Sequence, residues 1–211
     1  DFLYHPDRDR VAVIPNGVDL SFFSPREGER HHDLLFTGNM NYPPNIDSVL
    51  FLARRVLPLV RRQRPGTSLL ISGVDPSPQV KELAKLDPLI SVSGWVKDIR
   101  DSYANAKIFC APMQIGTGLQ NKLLEAMAMR IPCITSSLAN NAVGAPAGEA
   151  ILIGNEPEEY AAHILRLLSE PGERDRIAAN GNRFVRSHFD WDQAASRLET
   201  LVTATTPVAP R

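Results

Sequence analysis

Lys107 to Met129 reads KIFCAPMQIGTGLQNKLLEAMAM: a strand-type apolar run, a proline, a loop with two glycines, then a segment dense in strong helix formers. That order is one half of a parallel β-α-β unit. Lys107 to Ala111 predicts a strand and Asn121 to Met129 a helix. Between them, Gly116-Thr117-Gly118 leads flexibly from a strand end into a helix N-terminus. A phosphate suits such a place, because the first helical N–H groups have no intrahelical acceptor and the positive end of the dipole faces it. Lys122 adds a full positive charge. Glu125, three residues on, shares its helix face, so the two can reach different parts of one ligand; the competing reading is a salt bridge to each other.

Outward from this unit the same alternation repeats. Leu34 to Thr37, Ser68 to Ser72, Ile90 to Ser93, Pro132 to Thr135 and Ala150 to Ile153 read as strands, and Val11 to Ile14 as an arriving strand turned by Pro15-Asn16-Gly17. After Pro43-Pro44, apolar residues at 46, 49, 50, 53, 56, 57 and 60 form a helical stripe whose polar face, Arg54, Arg55, Arg61 and Arg62, reads as solvated. Val80 to Leu86, Ile99 to Ala106, Pro157 to Leu168 and Glu173 to His188 are helical, and Asp190 caps a last helix from Trp191 to about Ala204. Thr205 to Arg211 reads as a disordered tail. The sum is an α/β class: a Rossmann-like open parallel sheet with helices on both faces.

The composition sets the outer limits. In 211 residues, 43% of them hydrophobic and 22% charged, there is room for one α/β core. Lys+Arg 23 against Asp+Glu 24 leaves a formal net charge of -1, which gives no overall field to draw in nucleic acid. Cys110 and Cys133 lie inside apolar runs and read as buried free thiols, which points to a reducing, cytoplasmic compartment. No apolar stretch reaches the length of a membrane span.

In an open parallel sheet the ligand binds beyond the carboxyl ends of the strands. Gly38, Gly73 and Gly94 stand at three such ends, where a missing Cβ lets a ligand or another backbone approach; for Gly73 a tight turn is the preferred reading. Gly116-Thr117-Gly118 lacks the third glycine of a dinucleotide fingerprint, and no Walker A pattern occurs. The histidines His5, His31, His32, His163 and His188 have no metal-ligand spacing, and no nucleophile elbow is present, so neither a metal site nor a hydrolase triad is expected.

Four blocks carry a resemblance. VIPNGVDLSFFSP at 13–25, FTGNMNYPPNID at 36–47, VSGWVKDIRDSYANAKIFCAP at 92–112 and GTGLQNKLLEAMAMRIPCITS at 116–136 together resemble the C-terminal domain of GT-B-fold retaining glycosyltransferases, the broad family 4 class with its bacterial polysaccharide enzymes. The resemblance implies one half of a GT-B architecture that binds a nucleoside-diphosphate sugar and, with an N-terminal acceptor domain preceding Asp1, transfers the sugar with retention to a glycan or lipid-linked acceptor. It leaves room for peripheral membrane association of the full-length protein and requires no cofactor beyond the donor substrate. Glu125 is then the ribose acid and Lys122 the diphosphate cation. Gly116, Gly118, Leu119, Gln120 and Asn121 would present backbone N–H groups, Gly94, Trp95 and Val96 would line the base pocket, and Gly38 and Asn39 would close the phosphate side.

Two positions depart from that pattern. Thr117 stands where many members carry a glutamate reaching the transferred sugar, and Asn39 and Pro44 stand where many carry an arginine and a lysine. The first departure keeps a non-catalytic, sugar-nucleotide-binding module as the alternative. An epimerase of the same architecture would need acids and histidines near the cleft, and a receiver domain an acidic cluster after its first strand. The expected organisation is a linker and first strand over 1–25, the nucleotide-sugar domain over 26–188, a closing helix over 189–204 that packs toward the other half, and the tail over 205–211.

Overall fold

The computed structural model describes residues 12–115 and 118–205, with side chains described through residue 203. Its strands are β1 (His32–Thr37), β2 (Leu69–Ser72), β3 (Ile90–Gly94), β4 (Ala106–Ala111), β5 (Cys133–Thr135) and β6 (Leu152–Ile153). All pairings are parallel, and the order across the sheet is β3-β2-β1-β4-β5-β6. This is the Rossmann-like order, in which the winding direction reverses between β1 and β4.

The central strands are continuous apolar runs because helices cover both faces, so no residue can be spared for solvent. Leu34, Leu35 and Phe36 of β1, Leu69 and Ile71 of β2, and Ile108, Phe109 and Cys110 of β4 are wholly buried. The helices are α1 (Pro43–Phe51) and α2 (Leu57–Arg61) joined by a π-helical segment (Leu52–Val56), α3 (Pro78–Leu86), α4 (Ile99–Ala104), α5 (Asn121–Ala128), α6 (Ser137–Val143), α7 (Pro157–Ser169), α8 (Pro171–His188) and α9 (Trp191–Thr205). Pro58 has no N–H to give the carbonyl four residues back, which accounts for the widened turn that interrupts the first helix. No described helix is long and apolar enough to cross a membrane.

Several expectations need correction. No strand occupies residues 12–14; Val18 instead makes an isolated parallel bridge to Asp190, with Val18 N–H donating to the Phe189 carbonyl at 2.8 Å. The apolar residues Ala12, Val13 and Ile14 line a groove with Ser196, Thr200 and Leu201 of α9. Ala12 and Val13 are exposed, Val13 to 85%, so this short run gains neither a ladder nor a buried face. Helix α6 was not expected. Arg54, Arg55 and Arg62 are exposed as anticipated, whereas Arg61 is half-buried, donating from Nε to the Thr67 carbonyl at 3.0 Å and pairing with Asp87. Thr205 ends α9, and the rest of the expected tail, 206–211, lies outside the described residues.

Candidate functional site

The carboxyl ends of β1, β2 and β3 are knitted into one platform. Gly38 N–H donates to the Ser72 carbonyl at 3.1 Å, Gly73 N–H to the Gly94 carbonyl at 3.1 Å, and Met40 N–H to the Val74 carbonyl at 2.8 Å. The approach is so close that a Cβ on Gly73 would lie 1.8 Å from the Gly38 oxygen, and Gly73 itself has a φ of 143°. Glycine at this position is therefore required by the close approach of another backbone rather than by the tight turn preferred from sequence, and Gly73 also lines the cavity above it.

Above this platform lies a cavity of about 470 Å³. Its wall is made by Thr37 at the end of β1 with Gly38 and Asn39 after it, Asn45 of α1, Gly73 and Val74 after β2, Trp95 and Val96 after β3, Ile99 of α4, and Asn121, Lys122 and Glu125 from the first two turns of α5. It sits at the switch point where an open α/β sheet forms its crevice. Seven of the residues singled out from sequence thus meet in one place: Gly38, Asn39, Trp95, Val96, Asn121, Lys122 and Glu125.

The others stand differently. Gly94 has a φ of 67° and does not line the cavity; it forms the turn that delivers Trp95 to the rim, where the indole is 71% exposed. Gln120 precedes α5 and folds back so that its amide Nε2 donates to the Gly118 carbonyl at 3.1 Å. Leu119 packs against the core and does not line the cleft. Gly116 and Thr117 lie outside the described residues.

Lys122 and Glu125 do not form an ion pair with each other. Lys122 Nζ donates to Asn45 Oδ1 at 2.5 Å and rests 4.5 Å from the centroid of the Phe36 ring. The Asn45 amide is fixed in turn, since Nδ2 donates to the Asn39 carbonyl at 2.9 Å. Glu125 Oε2 accepts from the Tyr103 hydroxyl at 2.8 Å. That hydroxyl has one proton, committed to the carboxylate, so Thr37 Oγ1, 2.9 Å away, donates to it. Tyr103 is wholly buried, its ring edge-on to Phe23 at 6.3 Å and tilted against Phe109 at 5.6 Å.

Partial burial sets the electrostatics. It lowers the Lys122 ammonium to a pKa of about 8, with the nearby charge of Glu125 opposing the shift. It also raises Glu125, against the opposing effects of the Tyr103 hydrogen bond and the Lys122 charge. Burial, with Glu125 beside it, holds the Tyr103 phenol well above its usual range, so it remains a donor. The cleft therefore presents one cation with donors to spare, one carboxylate with one oxygen engaged, and the unpaired N–H groups at the start of α5. This is chemistry suited to an anion joined to a diol.

Asn45, Tyr103 and Thr37 were not anticipated as parts of the site. Asn45 sits among helix signals and Tyr103 among the apolar residues of α4, and only their tertiary partners distinguish them.

Among protein families, the model described as Glycosyl transferases group 1 matches residues 31–170. The chain is 30% identical over 218 residues to a phosphatidyl-myo-inositol mannosyltransferase of Mycobacterium leprae, covering 92% of this chain and 54% of that protein. It is 28% identical over 205 residues to an MMP α-(1→4)-mannosyltransferase of Mycolicibacterium hassiacum, covering 93% of this chain and 48% of that protein. The chain thus spans about half the length of the curated relatives it matches. Among solved structures, Anabaena HepE in complex with UDP and glucose superposes with a TM-score of 0.71 over 91% of this chain and 56% of that one, at 14% identity.

Proposed function

The chain belongs to the group 1 glycosyl transferases, and from that premise we propose that it is the donor-binding half of an enzyme that transfers a sugar from a nucleoside-diphosphate sugar, with retention, to a glycan or lipid-linked acceptor held by an N-terminal half. The observation carrying this reading is the shared cleft: Lys122 and Glu125 open onto the cavity that Gly38, Asn39, Trp95 and Val96 also line.

In this reading the pyrophosphate rests between the Gly38-Asn39 turn and the N-terminus of α5, with Lys122 on its oxygens. As the bond from the anomeric carbon to the diphosphate breaks, negative charge gathers on the leaving oxygen. A fixed ammonium and fixed amide dipoles stabilise that charge without reorganising. Glu125 accepts hydrogen bonds from the ribose hydroxyls, and the Gly94–Val96 turn holds the base. The loop through Gly116 and Thr117 supplies contacts to the sugar. The solved relative with UDP and glucose in its description makes UDP the first nucleotide to try.

Calorimetric titration of UDP into the wild type, Lys122→Ala and Glu125→Ala tests the assignment. Hydrogen bonds to charged groups contribute about 1.5–3 kcal/mol, so each variant should bind at least about tenfold more weakly. Equal affinity in correctly folded variants would overturn it.

A further inference from the structure

Two charged side chains of opposite sign, three residues apart on one helix face, ordinarily pair with each other. Lys122 and Glu125 do not, although they share the first turn and a half of α5. Each is engaged by a neutral residue from a different helix. Asn45 of α1 holds the ammonium at 2.5 Å, and Tyr103 of α4 holds one carboxylate oxygen at 2.8 Å. Among the described residues Asn45 is the one hydrogen-bond acceptor of Nζ, which leaves two of the three ammonium protons for a ligand. Among the described residues Tyr103 is likewise the one hydrogen-bond partner of the carboxylate, on Oε2, which leaves Oε1 for a ligand.

Both partners are themselves anchored. Asn45 is buried and tied through Nδ2 to the Asn39 carbonyl, so its Oδ1 cannot rotate away without breaking that bond. Tyr103 is buried on every side, with Thr37 donating to its oxygen.

We propose that Asn45 and Tyr103 are positioning residues that keep Lys122 and Glu125 from neutralising each other, so that the cation is reserved for the diphosphate and the acid for the ribose. This rests on the donor-site reading above and goes past it, because it assigns the discrimination between parts of the nucleotide to two residues that act through Lys122 and Glu125: Asn45, which also lines the cavity, and Tyr103, which does not. Removing either anchor lets the ammonium and carboxylate collapse together.

The test separates the two ends of the ligand. UDP, 2′,3′-dideoxyuridine 5′-diphosphate and UMP are titrated into the wild type, Tyr103→Phe, Asn45→Leu and Glu125→Gln, each checked by thermal melting. The wild type should prefer UDP over the dideoxy nucleotide by about tenfold or more, and Glu125→Gln should reduce that ratio. Tyr103→Phe, which keeps the ring and its packing, should bring the same ratio toward one. Asn45→Leu should instead bring down the preference for UDP over UMP.

Equal weakening of all three nucleotides in Tyr103→Phe and Asn45→Leu, or unchanged ratios, would mean a merely structural role and would overturn the proposal while leaving the donor site standing. A wild type that binds UDP and its dideoxy analogue alike, with Glu125→Gln no different, overturns the ribose assignment and this proposal with it.

Discussion

Binding of a diphosphate to this cleft should fade as pH rises from 7 to 9. The Lys122 ammonium has a pKa of about 8, lowered by burial. It is then about nine-tenths charged at pH 7 and about one-tenth charged at pH 9. The diphosphate is ionised throughout this interval, so the protein is what changes. If the neutral amine contributes nothing, UDP affinity falls about tenfold over those two pH units. A bound anion raises the ammonium's pKa, so binding near pH 8 should take up about half a proton, read from calorimetry in buffers of different ionisation enthalpy. Lys122→Arg supplies the control, because a guanidinium stays charged and its profile should be flat. A flat wild-type profile, or an arginine variant that falls in parallel, would refute the reasoning. Stability carries the opposite sign. The folded pKa lies below the unfolded one, so the unfolded chain binds the extra proton between about pH 8 and the ordinary lysine value of 10.5, and this residue's contribution to stability increases with pH across that window.

Gly73→Ala should destabilise the fold by about 3 kcal/mol or more, because a Cβ 1.8 Å from the Gly38 oxygen can be relieved only by moving backbone; chemical denaturation monitored by circular dichroism reads this, and a cost below about 1 kcal/mol would contradict the contact. Trp95→Ala should leave the melting temperature within error, since the indole is 71% exposed, while UDP affinity falls several-fold through lost contact with the base; a change in melting temperature with intact affinity would place the indole in the fold and not in the site.

How far the sequence leads depends on the range of the interaction. The β-α alternation was legible because each central strand is a solid apolar run such as Leu34-Leu35-Phe36, and each helix carries a stripe, both consequences of local geometry. The position of the candidate cleft followed from where glycines meet strand ends. Helix α6 could have been found: Ser136 Oγ accepts from Ala139 N–H at 3.2 Å, and Gly144 closes the helix with a φ of 70°, both standard end signals. The run at residues 12–14 misled because apolar, β-branched character does not by itself supply a partner strand: Ala12 and Val13 stay exposed beside α9. Asn45 and Tyr103 were beyond reach, since their roles depend on partners 77 and 22 residues away.

The charge inventory explains why so much of this cleft is backbone. Among the described residues that line it, Lys122 and Glu125 are the two with full charges, and they sum to zero. A second cation at the Asn39 position would face Lys122 across a partly buried space, where like charges depress each other's ionisation, and would compete with Tyr103 for Glu125. Asn39 instead turns its Oδ1 onto the Asn41 N–H at 2.8 Å and gives its carbonyl to Asn45. In the proposed donor site the anion is then held largely by oriented dipoles, namely the opening N–H groups of α5 and the turn after β1. Dipoles act only where they are aimed, so binding depends on how tightly the strand exits are stacked. Gly73 has no side chain to offer a ligand, yet by letting Gly38 sit against it, it fixes the aim of that turn and belongs to the proposed site as much as Lys122 does.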